Sequence, residues 1–351
     1  LQPVLKYARI INGAYVEIWV ANGFYYTTSG SNRSESFVIP SGLKLYGNFA
    51  GNESSIYDRP AGPFNATYLS GSIGASGTAD DAYHVVDASG TSASTLLDGF
   101  YIVRGNASGS GEAGKGGGLY LNGGNLVVRN CSLSSNRSGL DGGAVYMVNS
   151  SPVFVECLFY NSYADGEGGA VCVGALAAPY FLNCCFLGNL AIGSGGGIKV
   201  SFANAVMFGC LMSGNTAQLG DGGAIAVAGI SGHGMVIRNT TVSKNAAPAA
   251  TLRASRSLAL GGSTAPPLPV PRVTHLVDPR AARHAEGRLP QDPQVRPQPA
   301  RLYVPHVVLE LLLDRQAPPA VHLRQARQPR PNQQSPALPR VPLRDLLHVQ
   351  R

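Results

Sequence analysis

From residue 16 to residue 245 the chain consists of short apolar runs, four to six residues long, each closed by Gly, Asn, Ser or Asp. Runs such as Ala144-Val145-Tyr146-Met147-Val148 and Val153-Phe154-Val155-Glu156-Cys157 are too short for helices and too regular for loops, so they predict β-strands. Earlier β segments are expected at 16–21, 36–39, 43–46, 68–69, 83–86 and 96–103. Helical spacing occurs at the start, where Leu1, Val4, Leu5, Ala8 and Ile11 share one face, Pro3 suits a first turn and Asn12-Gly13 supplies a stop.

The runs repeat. A Gly-Gly-x-apolar unit places its second glycine at Gly117, Gly143, Gly169, Gly196 and Gly223, at intervals of 26, 26, 27 and 27 residues. About a dozen residues later an apolar run leads into Cys131, Cys157, Cys184, Cys210 and, in the last copy, Thr240, at intervals of 26, 27, 26 and 30. Asn136, Asn161, Asn189, Asn215 and Asn245 follow four or five residues on as a third marker, expected to form an asparagine ladder at a turn that tolerates left-handed backbone, with stacked amides bonding from coil to coil. A period in this range marks a solenoid. Adjacent glycines, each costing a helix about 1 kcal/mol, exclude helical repeats, and the leucine spacing of leucine-rich repeats is missing. The reading is an all-β fold, a right-handed parallel β-helix whose equivalent residues stack one strand spacing apart, roughly 4.8 Å. Residues 1–35 would form a cap, with the short helix and a first strand covering the open strand edges of the first coil. Residues 36–245 would form the β-helix, with regular 26–27-residue coils over 116–245.

Composition changes the picture beyond residue 245. Residues 246–351 hold 15 Arg, no Lys and 6 acids, a net charge of +9, while residues 1–245 carry 12 basic and 14 acidic residues, a net charge of −2. The basic balance belongs to this tail, so nucleic-acid binding by the folded part is not implied. The tail also contains 18 of the 24 Pro and only 3 of the 44 Gly. Such text fits either a disordered Pro- and Arg-rich tail or a gene read out of frame or through an intron. Packing is expected nowhere in it except at the apolar stretch 307–313.

All six cysteines lie in the repeats, four at one equivalent position, where stacked inward thiols are expected rather than disulfides or a metal site. No stretch of 18 apolar residues exists to span a membrane as a helix. Starting at Leu1 inside what reads as an ongoing element, the chain is expected to be a fragment or a processed form.

The runs Glu17-Ile18-Trp19-Val20-Ala21-Asn22-Gly23-Phe24-Tyr25, Leu45-Tyr46-Gly47-Asn48-Phe49 and Tyr83-His84-Val85-Val86 resemble the amino-terminal part of parallel β-helix proteins of bacterial surfaces. Gly142-Gly143-Ala144-Val145, Gly168-Gly169-Ala170-Val171, Gly222-Gly223-Ala224-Ile225 and Phe186-Leu187-Gly188-Asn189 resemble the GGA-aliphatic and F-x-x-N marks of polymorphic outer-membrane proteins, repeats of the pectin-lyase-like fold. The resemblance covers about 1–245 and implies an extracellular or surface-displayed, outer-membrane-associated protein. Fold alone does not settle activity. The aromatic-girdled strands of such proteins' terminal barrel do not follow here.

Candidate chemistry is sparse. Asp141, Glu167 and Asp221 precede their Gly pairs and would line one edge, with Ser194 breaking the row. This row is the candidate Ca²⁺ site, but the calcium nonapeptide is absent and solvated turn residues are the simpler account; no cofactor is expected. Gly232-His233-Gly234 with Arg238 and Asp221 invites comparison with polygalacturonases, yet Ala217 stands where a second carboxylate is wanted. His84, in an apolar strand, reads as structural. The expected function is therefore non-catalytic recognition or adhesion, with a surface polysaccharide or a host or neighbouring protein as partner. The alternatives are a polysaccharide lyase or glycoside hydrolase, using Asp221, His233 and Arg238, and a purely structural surface spacer.

Overall fold

The computed structural model describes residues 1–10, 16–60, 66–74, 77–230 and 232–248, with the backbone of four short strands further on. Each turn of the regular part but the last passes through four strands, and in the last an isolated bridge from Thr216 to Ala246 stands for the fourth. In one turn the four strands are Leu119–Asn122, Val127–Arg129, Ser132–Ser134 and Arg137–Ser138, which define faces 1 to 4. Each strand pairs in parallel with its equivalents above and below, so that Leu119, Val145, Val171, Ile198 and Ile225 lie in one register on face 1. Face 3 runs through eight strands, from Gly23–Tyr26 to Thr241–Ser243, and so counts the turns of this all-β parallel solenoid.

Alternation within the runs decides what points inward. Phe154, Phe159, Phe181 and Phe186 are all fully buried. Phe154 stacks on Phe181 at 5.2 Å and Phe159 on Phe186 at 4.5 Å, and the two stacks meet edge-on. Removing one such ring costs about 3–5 kcal/mol.

The Gly pair does two separate jobs. Gly142 lies at φ 68°, a left-handed corner, whereas a Cβ on Gly143 would come within 2.3 Å of Gly169 O and 2.5 Å of Tyr163 O. One glycine therefore bends the chain and the next lets backbones touch.

The cysteine column is present and unbridged. Cys157, Cys184 and Cys210 each donate to a carbonyl of the preceding coil, at 3.5 Å, and to the carbonyl two residues earlier, at 3.4 Å. Thr240 copies the pattern, its Oγ1 donating to Arg238 O at 2.9 Å and accepting from Cys210 N at 3.3 Å. The side chain is thus a corner tie, and a thiol or a hydroxyl can serve.

The asparagine ladder corrects one expectation. Asn215 Oδ1 accepts from Asn189 N, and Asn245 Oδ1 from Asn215 N, but below them Asn189 Oδ1 accepts from Ser162 N. Asn161 lies one place earlier at φ 48°, in the left-handed position that Ser135, Gly188, Gly214 and Lys244 occupy in other coils. Ser162 holds the ladder position there. Tolerance of left-handed backbone, not amide stacking, explains Asn161.

At the amino terminus Gln2–Ile10 is helical and buries Val4, Leu5 and Ala8, and Gln2 Nε2 donates to Thr27 O and Ser36 O at 2.7 and 2.9 Å. Ile11 lies outside the described residues. Strands Glu17–Ala21 and Gly23–Tyr26 pair with Lys44–Phe49 and Thr67–Ser70, so the first coil begins inside the stretch read as a cap. The run 96–103 divides into Leu96–Asp98 and Phe100–Val103, because Gly99 at φ 83° turns a corner between faces 2 and 3. His84 is held as expected, with its Nδ1 3.0 Å from Gly116 O and its ring 4.9 Å from Tyr120.

The tail's expected disorder falls mostly outside the described residues. Of the strands that are described in it, Val307–Leu312 covers most of the apolar stretch, and Ala300–Val304 runs antiparallel to Glu17–Ala21.

Candidate ligand-binding surfaces

The corner before each Gly pair carries one column, Lys115, Asp141, Glu167, Ser194 and Asp221, aligned by bonds such as Gly142 N to Glu167 O at 2.9 Å. Its members are already engaged with one another or with neighbours. Asp141 Oδ1 accepts from Glu167 N at 2.9 Å, and Glu167 Oε1 pairs with Lys199 Nζ at 2.5 Å. Lys115 Nζ sits 3.4 Å from the Tyr146 hydroxyl. Asp221 is exposed, two strand spacings from Glu167, roughly 10 Å. Among the described residues no three His, Cys, Asp or Glu side chains are placed to hold a metal ion.

Asp221, His233 and Arg238 are not brought to one point. Asp221 occupies the corner before face 1, His233 the corner after it, and Arg238 the far end of the next strand, Gly234–Arg238. Strand Ile225–Ala228 alone separates the first two by roughly 13 Å of extended chain. The His233 ring meets Phe202 edge-on at 6.2 Å, and its Nδ1 is buried without a hydrogen-bond partner among the described residues. A fully buried carboxylate does occur at Asp98, but Arg59, Arg129 and Asn130 occupy it, at 3.3, 2.5 and 3.1 Å.

The outer side of face 2 differs in character. Register places Val127, Val153, Tyr180, Val206 and Val236 in one outward row and Val155, Leu182 and Phe208 in the next, the second row ending in Arg129 and Arg238. Beside them, at the corner between faces 1 and 2, Leu176, Phe202 and Ile230 are 76%, 52% and 69% exposed, and Tyr180 is 47% exposed. No described element covers this strip. The alternation that signals an outward strand position gives no hint of it, since Val and Leu fit either side.

A cavity of about 260 Å³ lies at the other side of the solenoid, where residues 77–82 fold over the first strands of face 4. Its walls include Thr78, Asp81, Asn106, Ser135, Arg137 and Tyr163. Two arginines fix the overlying segment. Arg33 Nε donates to Asp81 O at 2.7 Å and its Nη2 to Asn106 O at 2.8 Å, while Arg104 grips both Asp81 oxygens at 3.2 Å. Burial pushes the Asp81 carboxyl up to about 6, against the pull of Arg104. On the opposite wall the Arg137 guanidinium lies 4.7 Å from the Tyr163 ring centre, and both side chains bond to Asp165, at 3.1 and 2.7 Å. Asn106, Arg137 and Tyr163 share one register on face 4, but the overlying Thr78 and Asp81 follow no repeat, so the period alone could not have collected them.

Comparison with protein-family models, with curated proteins and with solved structures found no match to this chain. The parallel solenoid of about eight turns rests on its own register.

Proposed function

We propose that this chain is a surface-displayed recognition module that binds a partner protein through the outer side of face 2 and carries no catalysis of its own. The strip of Val, Leu, Tyr and Phe rows, flanked by the exposed Leu176, Phe202 and Ile230, supports this reading. Contiguous exposed apolar surface on a protein marks an interaction site, and a rim of Arg129 and Arg238 suits a protein surface of mixed character. The surface location is carried by the resemblance of the GGA-aliphatic repeats to those of polymorphic outer-membrane proteins. A hydrolase or lyase needs convergent carboxylates, or a base facing a cation, at one level of the solenoid. Asp221, His233 and Arg238 stand at three successive corners instead.

Two measurements test the proposal. Biolayer interferometry of the full chain against immobilised extracellular-matrix proteins should find a ligand whose affinity drops at least tenfold in the Tyr180→Asp, Phe202→Asp double variant. Incubation with pectic and other polysaccharides should release neither new reducing ends nor unsaturated products. Turnover abolished by Asp221→Asn or His233→Ala would replace recognition with the enzyme reading, and binding indifferent to the double variant would remove face 2 from the account.

A further inference from the structure

The outer side of face 2 is periodic in a way that narrows what can cover it. From Val127 to Val236 and from Arg129 to Arg238 its two rows climb five coils, one side chain per coil in each, at roughly 4.8 Å per level. A helix laid along the strip repeats about every 5.4 Å and slips by about half a row over five levels, and a strand laid along it presents one side only every roughly 6.7 Å. A sheet from an ordinary globular domain carries its own twist, about 20–25° per strand, and so departs from the strip after a few levels. A second copy of the same face matches it in spacing and in twist at every level.

We propose that face 2 is a homodimer interface, in which two copies pack face to face about a two-fold axis parallel to the solenoid axis. This names the occupant of the recognition surface proposed above and rests on that reading. Under this symmetry the strands run antiparallel across the interface and each coil faces the same coil of its partner. The Val127 row of one copy then lies opposite the Arg129 row of the other, so that Val206 faces Phe208 of the partner subunit, a small side chain against a large one. Charge selects this axis. A two-fold axis parallel to the strands and centred on Tyr180 would set Arg129 against Arg238 of the partner subunit, whereas here each arginine lies opposite a valine. Polar side chains also meet at the margins, where the row of Asn125 and Ser151 lies opposite the corner of Asn130 and Glu156 and frames the apolar rows. The footprint is five levels by six residues, Asn125 to Asn130 in the lowest, which is roughly 24 Å by 20 Å or about 480 Å² per copy. Stable interfaces bury about 800 Å² per partner, so the association should be weak and concentration-dependent.

Sedimentation velocity of the full chain, from micromolar to submillimolar concentration, should show a reversible monomer–dimer equilibrium. Leu182→Asp, at the centre of the two rows, and the Tyr180→Asp, Phe202→Asp double variant should each raise the dissociation constant at least tenfold with circular dichroism unchanged. The double variant replaces side chains that are 47% and 52% exposed, so it decides the matter if Leu182→Asp does not fold. Val153→Cys protein mixed with Val155→Cys protein should form an intermolecular disulfide in air; Val155→Cys mixed with Phe208→Cys should not, since those levels stand roughly 10 Å apart. A chain monomeric throughout, a dimer unmoved by both sets of Asp substitutions, or the opposite cross-linking pattern would overturn the proposal. A chain that stays monomeric yet binds a matrix protein through Tyr180 and Phe202 would overturn the dimer and leave face 2 as a recognition surface.

Discussion

Asn189→Ala is the sharpest probe of what holds the coils in register. The side chain is fully buried; its Nδ2 donates to Phe159 O at 3.0 Å and Asn215 Oδ1 at 2.9 Å, and its Oδ1 accepts from Ser162 N at 3.0 Å. Alanine leaves the Ser162 N–H and the Phe159 carbonyl without that partner, while Asn215 Oδ1 keeps the Asn189 backbone N–H at 3.1 Å. At about 1–3 kcal/mol for each buried orphan, with a small void added, the expected loss is about 3–5 kcal/mol. Asn161→Gly supplies the contrast. Asn161 is exposed and left-handed, so glycine should change stability by less than about 1 kcal/mol. Ser162→Asn, which completes the ladder, should raise the unfolding midpoint. Because solenoids can unfold in parts, urea unfolding followed by circular dichroism should be paired with hydrogen exchange at the Ser162 amide, whose protection Asn189→Ala should remove. A cost below about 1 kcal/mol for Asn189→Ala, or an equal cost for Asn161→Gly, would refute the assignment of the ladder.

Other expectations follow from the same structure. Thiol titration of denatured, unreduced protein should count six free cysteines, and Cys210→Thr should stay within about 1 kcal/mol of wild type because Thr240 makes the same tie one coil on; disulfides in the count, or a large loss, would contradict this. The Asp81 carboxyl is raised from 3.8 to about 6, so between these values the folded state holds more protons than the unfolded one and stability should fall as pH rises. Melting curves at several pH values from 4 to 8 should show that decline shrinking in Asp81→Asn. Limited proteolysis should remove residues beyond Pro248 before it cuts the coils, leaving a β-rich core; a tail as protected as the coils would defeat the compositional reading.

The period was legible because stacking imposes it. A residue that ties a corner in one coil must do so in the next, so Cys131 to Cys210 and the Gly pairs repeat whatever their surroundings. Asn161 shows the limit. Two physical demands, left-handed backbone and amide stacking, both favour asparagine and sit side by side, so the sequence alone could not tell which one Asn161 answers. The division of 96–103 was hidden for a related reason, since Gly99 inside an apolar run can mark a bulge as readily as a corner. The cavity was visible only in part. Asn106, Arg137 and Tyr163 stack in one register on face 4, but Asp81 joins them only because residues 77–82, which follow no repeat, fold back over the stack.

The close backbone approach at Gly117, Gly143, Gly169, Gly196 and Gly223 bears on how such a chain can grow. At Gly143 nothing larger than a hydrogen atom fits, so that position tolerates no side chain. The corner between faces 1 and 2 is looser, holding residues 149–152 in one coil and 229–233 in the last. Duplication of a 26- or 27-residue block, begun at any point of the turn, would add a coil and leave every column in phase. Slippage of any other length would survive where it fell in that corner or in the one between faces 4 and 1, which holds residues 192–197 in one coil and 218–224 in the next. Copy number and these two corners are thus the free variables of this gene, and relatives of the chain should differ in those before they differ in anything else.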